Sequence, residues 1–298
     1  MKTYLTLLLL VCASVLFAQD YRSDFQKMLK EGPKEKILPL LAKWQNSKPE
    51  DPEMFIAHFN YYFNESRKEM IGMGTQPGKG ENLTLRDTAT NETAGFIYSH
   101  ITYDDSLFVI AQRYIEEGIS KNPNRLDMHF GRLYALREAG YLEEHVEGIL
   151  SVIDLHQQNQ SRWRWTDDKI ISDAEKMFKG SIQDYSHALF NLEEAPYREG
   201  IEKISRKMME LYPKDIENYS NIGVCRLMDR NFAEALSLFK KASEINPNDA
   251  IVLSNIAYTY VQMEKPKEAI KYYDKIVKVG DPEMAEFAKQ ESAKLRKK

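Results

Sequence analysis

Over the last third of the chain, apolar residues recur every three or four positions, and the whole pattern returns 34 residues later. At that offset Tyr219 is matched by Leu253, Ile222 by Ile256, Gly223 by Ala257, Ala235 by Ala269, Phe239 by Tyr273 and Ile245 by Val279. Each pair keeps its size class. Spacings of three and four mark one buried face of a helix, so each unit predicts a helix, a tight turn and a second helix. The breaks fall at Asp229-Arg230-Asn231 and at Asn246-Pro247-Asn248-Asp249, where turn formers and N-capping side chains gather. Two full units occupy 216–249 and 250–283. Pro213 stands 34 before Pro247, which makes 182–215 a degenerate third unit, with Tyr185, Ile201, Met208 and Leu211 in register but Leu189 where the others carry Gly223 and Ala257.

Upstream the helical period persists with a weaker repeat. Helical patterns run through 19–69 and again through 104–181, where Ala111 and Ile115 precede Pro123 and a break falls at Gly140. Beyond Pro282 a charged amphipathic stretch, 284–298, predicts a helix that closes the open end of the stack with a polar face. Between them, in 70–103, the period fails. "GTQPGKG" invites a phosphate-loop reading, but Met73 stands where such a loop needs glycine and Gly80 where it needs Ser or Thr. Alternation in "NLTLRD" and "GFIYSHITYD" predicts two short strands, a small β-hairpin; disorder over part of the segment is the alternative.

The units match the tetratricopeptide repeat pattern of a bulky residue, then Leu-Gly, then Tyr, and further on Ala, Phe and Pro. Tyr219, Ile222-Gly223, Ala235, Phe239, Ala242 and Pro247 carry the resemblance in one unit, and Leu253, Ile256-Ala257, Tyr260, Ala269 and Tyr273 in the next; Arg226 departs from it where Tyr is usual. The chain therefore resembles an all-α, TPR-like solenoid of helical hairpins with one β-hairpin insertion. Taken whole, with the insertion, the "WRW" segment and the C-terminal repeats, it resembles secreted tetratricopeptide proteins of Gram-negative envelopes. Its beginning fits that: Lys2, an apolar run from Tyr4 to Phe17 and a cut near Ala18 form a signal peptide over 1–18. An uncleaved anchor is the alternative. Cys12 sits in a partial lipobox, with Val11 where a small residue belongs.

The resemblance also implies a binding mode. In such repeats the residue before the Leu-Gly pair faces a concave groove, here Asn221 and then Asn255, and an amide there donates to and accepts from a peptide backbone whatever its side chains. Glu217, Val224 and Met228 share that groove in one unit, and Ile251, Ser254, Tyr258 and Gln262 in the next. A merely solvated polar face is the bland alternative. No Lys or Arg occupies these positions, so the resemblance does not extend to repeats that clamp a C-terminal carboxylate.

Other chemistry is thin. The six histidines share no i, i+4 spacing, and no nucleophile elbow occurs. With the leader removed, Cys225 is the remaining cysteine and is read as a small buried hydrophobe. The formal net charge of −4, without a basic stripe, argues against nucleic acid. Trp163, Arg164 and Trp165 are either an exposed glycan platform or a plug between helices. The expectation is thus an exported, non-enzymatic scaffold, without cofactor, metal or membrane span after leader removal, that binds another protein or peptide. A carbohydrate-binding envelope protein is the alternative.

Overall fold

The computed structural model describes residues 20–78, 80–192 and 195–297; the expected signal peptide and Cys12 lie outside them. Thirteen helices and a few short strands make up the described residues, and none of the helices is long and apolar enough to cross a membrane. Two compact units divide the chain. One takes residues up to Arg67 together with Asp104–Lys121, and the other takes Lys68–Tyr103 and Asn122–Lys298.

The first unit packs α1 (Tyr21–Glu31), α2 (Ile37–Ser47), α3 (Pro52–Ser66) and α4 (Asp105–Lys121). Asp51 starts α3: one carboxylate oxygen accepts from Glu53 N at 3.0 Å and the other from Trp44 Nε1 at 2.9 Å. A single side chain thus caps one helix and satisfies the buried indole of another. Aromatic stacking joins α3 to α4, with His58 and Tyr114 rings 4.1 Å apart.

The insertion, which from Lys68 on belongs to the second unit, forms β1 (Arg67–Gly74), β2 (Asn82–Arg86) and β3 (Thr93–Tyr103), ordered β1-β3-β2. The sequence predicts two strands and the structure holds three. β2 and β3 pair antiparallel, Leu83 opposite Ile97; β1 escapes a pattern reading because nearly all its residues are exposed, so no polar and apolar alternation marks it.

The helices that follow are α5 (Leu126–Glu138), α6 (Leu142–Asn159), α7 (Ala174–Phe190), α8 (Ala195–Leu211), α9 (Ile216–Met228), α10 (Phe232–Ile245), α11 (Ala250–Gln262), α12 (Pro266–Val279) and α13 (Pro282–Arg296). Between α6 and α7 the two-residue strands β4 (Arg164–Trp165) and β5 (Lys169–Ile170) pair. Three hairpins turn identically. Gly140, Arg230 and Glu264 adopt positive φ of 86°, 59° and 57°, and the next amide bonds back to the helix: Tyr141 N to Leu136 O, Asn231 N to Arg226 O and Lys265 N to Tyr260 O, at 2.8, 2.8 and 2.9 Å. That is the Schellman closure. It shows α5–α6 to be a hairpin of the same kind as the two clean repeats.

Within each repeat a small residue lets the two helices approach. A Cβ on Gly223 would stand 2.5 Å from Phe239 Cε1, so the ring occupies the space that glycine leaves free. The degenerate unit differs, because Leu189 fills the corresponding place and is itself core. Its first helix also starts at Ala174 rather than near Ile182. Two apolar cores result, one over α5–α8 that reaches Cys225, and one over α10–α13; α9 lies between them. Arg226 spans the junction, bonding Glu202 of α8 at 2.6 Å and Glu234 of α10 at 2.9 Å. Burial alone would raise the Glu202 pKa, but Arg206 and Arg226 outweigh it and hold the carboxyl below its usual range. At the end of the stack α13 buries Ala288, and Arg296 reaches back to Asp274 of α12 at 2.8 Å.

Candidate functional site

The first helices of successive repeats, α7, α9 and α11, together line a concavity of about 790 Å³. Its wall is built from one helical stripe repeated: Gln183, His187 and Phe190 on α7; Glu217, Asn221 and Val224 on α9; Ile251 and Asn255 on α11. Met228 extends the apolar end and Asp249 stands at the start of α11. Of the residues expected in a groove, Asn221, Val224, Met228 and Asn255 are brought together, as are Glu217 and Ile251. Ser254, Tyr258 and Gln262 are not among its lining; they form the neighbouring i, i+4 stripe of α11, with Tyr258 and Gln262 exposed. The sequence reading missed Gln183, His187 and Phe190, although each stands 34 before Glu217, Asn221 and Val224. That offset was the available signal.

The two asparagines are not equivalent. Asn221 is buried and makes a reciprocal amide pair with Gln183, receiving from its Nε2 at 3.2 Å and donating to its Oε1 at 3.0 Å. Asn255 is half-buried, and its side-chain amide has no hydrogen-bond partner among the described residues. One amide therefore braces α7 against α9, while the other keeps a donor and an acceptor open to the concavity. Asp249 Oδ1 accepts from Val252 N at 2.9 Å and so fixes the start of α11. Neither Lys nor Arg belongs to this lining.

A second concavity, about 600 Å³, adjoins the first and shares Gln183 and Glu217 with it. Lys179, on its wall, is held by Asp215 at 2.8 Å.

The tryptophan segment does not form a platform. Trp163 is fully buried, donates from Nε1 to His156 Nδ1 at 2.8 Å and stacks near Phe178. Trp165 is half-buried, edge-on to Phe130, and Arg164 bonds Asp168 at 2.7 Å. Of the two alternatives the structure shows the plug: the Trp163 indole is core, because burying it against aromatic rings removes its apolar surface from water.

Burial pushes the Cys225 thiol up to about 12, with Asp229 adding to the effect, which leaves it protonated and inert. Burial also lowers His145 and His156 to about 4. His145 Nδ1 meets Leu133 O at 2.8 Å and His156 Nε2 meets the Tyr212 hydroxyl at 2.7 Å, so both rings are neutral structural parts. Among the described residues no group of three or more His, Cys, Asp or Glu is placed to hold a metal ion.

Residues 226–289 match the tetratricopeptide repeat family. No curated protein matches the chain. Among solved structures, the C-terminal part of a TPR repeat-containing protein from Cytophaga hutchinsonii is 13% identical, with 92% of this chain and 95% of that one covered at a TM-score of 0.44. YrrB, described as a TPR protein with an unusual peptide-binding site, is 16% identical over 84% of this chain and 97% of its own, at 0.38. The Pseudomonas aeruginosa protein pilF is 16% identical over 62% and 79%, also at 0.38.

Proposed function

We propose that this chain, a carrier of tetratricopeptide repeats, is a non-enzymatic scaffold that holds an extended segment of another protein in the concavity of α7, α9 and α11. The observation that carries the proposal is the free amide of Asn255 standing in a trough of mixed polar and apolar lining whose opposite wall is stiffened by the Asn221–Gln183 pair. An extended peptide presents alternating backbone donors and acceptors, which one carboxamide satisfies in both senses. Prepacked helices lose little entropy when the segment binds. Asn255→Ala should weaken peptide binding by about 1 kcal/mol, several-fold in Kd, with no change in Tm. Fluorescence anisotropy against a peptide selected from a random library measures this, and an unchanged Kd sinks the groove reading.

We propose also that the protein is exported and works in the cell envelope, on the strength of its apolar, Lys2-led beginning. N-terminal sequencing of protein from its native host tests this: a mature chain starting near Gln19 supports export, and an intact Met1 contradicts it.

A further inference from the structure

Three observations on the walls of the groove narrow the chemistry of its occupant. The first is charge. Asp173, Glu175, Asp215, Glu217 and Asp249 line the two adjoining concavities, against Lys176 and Lys179, and Lys179 is already held by Asp215. Glu217 is exposed and has no ion-pair partner among the described residues. The second is apolar surface at the other end of the trough, where Met228 and Ile251 are 43% and 64% exposed beside Phe190 and Val224.

The third is Gly180. It sits inside α7, exposed, on the wall of the second concavity, and a Cβ built there meets no atom within 4 Å. Glycine in a helix interior is unfavourable relative to alanine, and here it serves neither a turn nor a close helix contact. What it does leave is a strip of bare helix backbone that another main chain can approach closely.

We infer that the occupant is an extended segment carrying Lys or Arg among apolar side chains, lying with its cations against Glu217 and Asp249, its apolar side chains against Met228 and Ile251, and its main chain crossing α7 at Gly180. This rests on the groove reading above. A segment rich in carboxylates, or one gripped by a terminal carboxylate, meets a wall of its own sign and is disfavoured.

The test uses three amidated, fluorescein-labelled peptides sharing one apolar frame, with Lys, Gln or Glu at the intervening positions. Anisotropy at low salt should rank Lys tighter than Glu by at least tenfold, and added NaCl should narrow the gap. Glu217→Lys should cost the Lys peptide at least fivefold, whereas Glu244→Lys, an exposed site on α10, should leave it unchanged. Gly180→Ala should raise Tm and yet weaken binding at least threefold, a combination that damage to the fold cannot produce. Equal or tighter binding of the Glu peptide, or indifference to Glu217→Lys, overturns the cationic assignment; full affinity in Gly180→Ala overturns the crossing. If the three peptides bind alike and Asn255→Ala weakens all of them, the groove stands and only the charge preference falls. If none binds at millimolar concentration, both fall.

Discussion

Asn221 and Asn255 occupy the same repeat position, and the difference between them comes from what lies one repeat upstream. Gln183 is in reach of the first, while the second faces Asn221's own repeat and stays open. A pattern of residue types placed both on the groove but could not say which was engaged, because a hydrogen bond depends on a partner 38 residues away in sequence. The buried histidines yield a pH prediction on the same scale. His145 and His156 are held near 4 in the folded state, against about 6.5 when unfolded. Between those values the unfolded chain takes up protons that the native rings refuse, so their contribution is complete above pH 6.5 and disappears as pH falls toward 4. Each is worth up to about 3 kcal/mol. Urea titrations at pH 7.5 and pH 4.5 should show that loss, and His145→Asn, which keeps a donor toward Leu133 O, should remove its share of the pH dependence while His58 and His156 keep theirs. The Cys225 thiol should likewise resist maleimide at pH 8 in the native protein and react once urea opens the chain.

At the level of elements, repeat length and turn positions were legible to within a few residues, since Asp229 and Asn246 mark the ends of α9 and α10 by chemistry alone. The start of α7 was not. Ala174, Phe178 and Ile182 lie on one helical face and are all buried, but the 34-residue offset from Pro247 to Pro213 places the start of the unit at Ile182, and a first helix longer than those of the two clean repeats breaks that count. Two substitutions test the hairpin geometry. Gly223→Ala drives a methyl against Phe239 and should destabilise by about 1–3 kcal/mol, seen as a lower Tm. Arg230→Gly places the residue best suited to positive φ in the Schellman turn and should gain about 0.5–1 kcal/mol; an unchanged or lower Tm would contradict the strain at that turn.

For the whole molecule, fold class was legible because solenoid units are local, each contacting mainly its neighbours in sequence. The sheet was legible in part, since exposed strands leave little polarity signal, and the tryptophan segment only as two alternatives that burial decided. Arg226, which the repeat pattern marks as a departure, is the residue whose meaning is architectural. The two apolar cores of the second unit meet at α9, and across that meeting the guanidinium touches Glu202 and Glu234. Considered under tension, the stack therefore has a joint fastened partly by charge, and a charged fastening is weakened by salt where apolar packing is not. Pulled by its C-terminus in an optical trap, the chain should release α10–α13 at a force that falls as NaCl rises, and Arg226→Met should reproduce the high-salt force at low salt. The departure from the repeat pattern would then set how much load the scaffold bears before its last repeats let go.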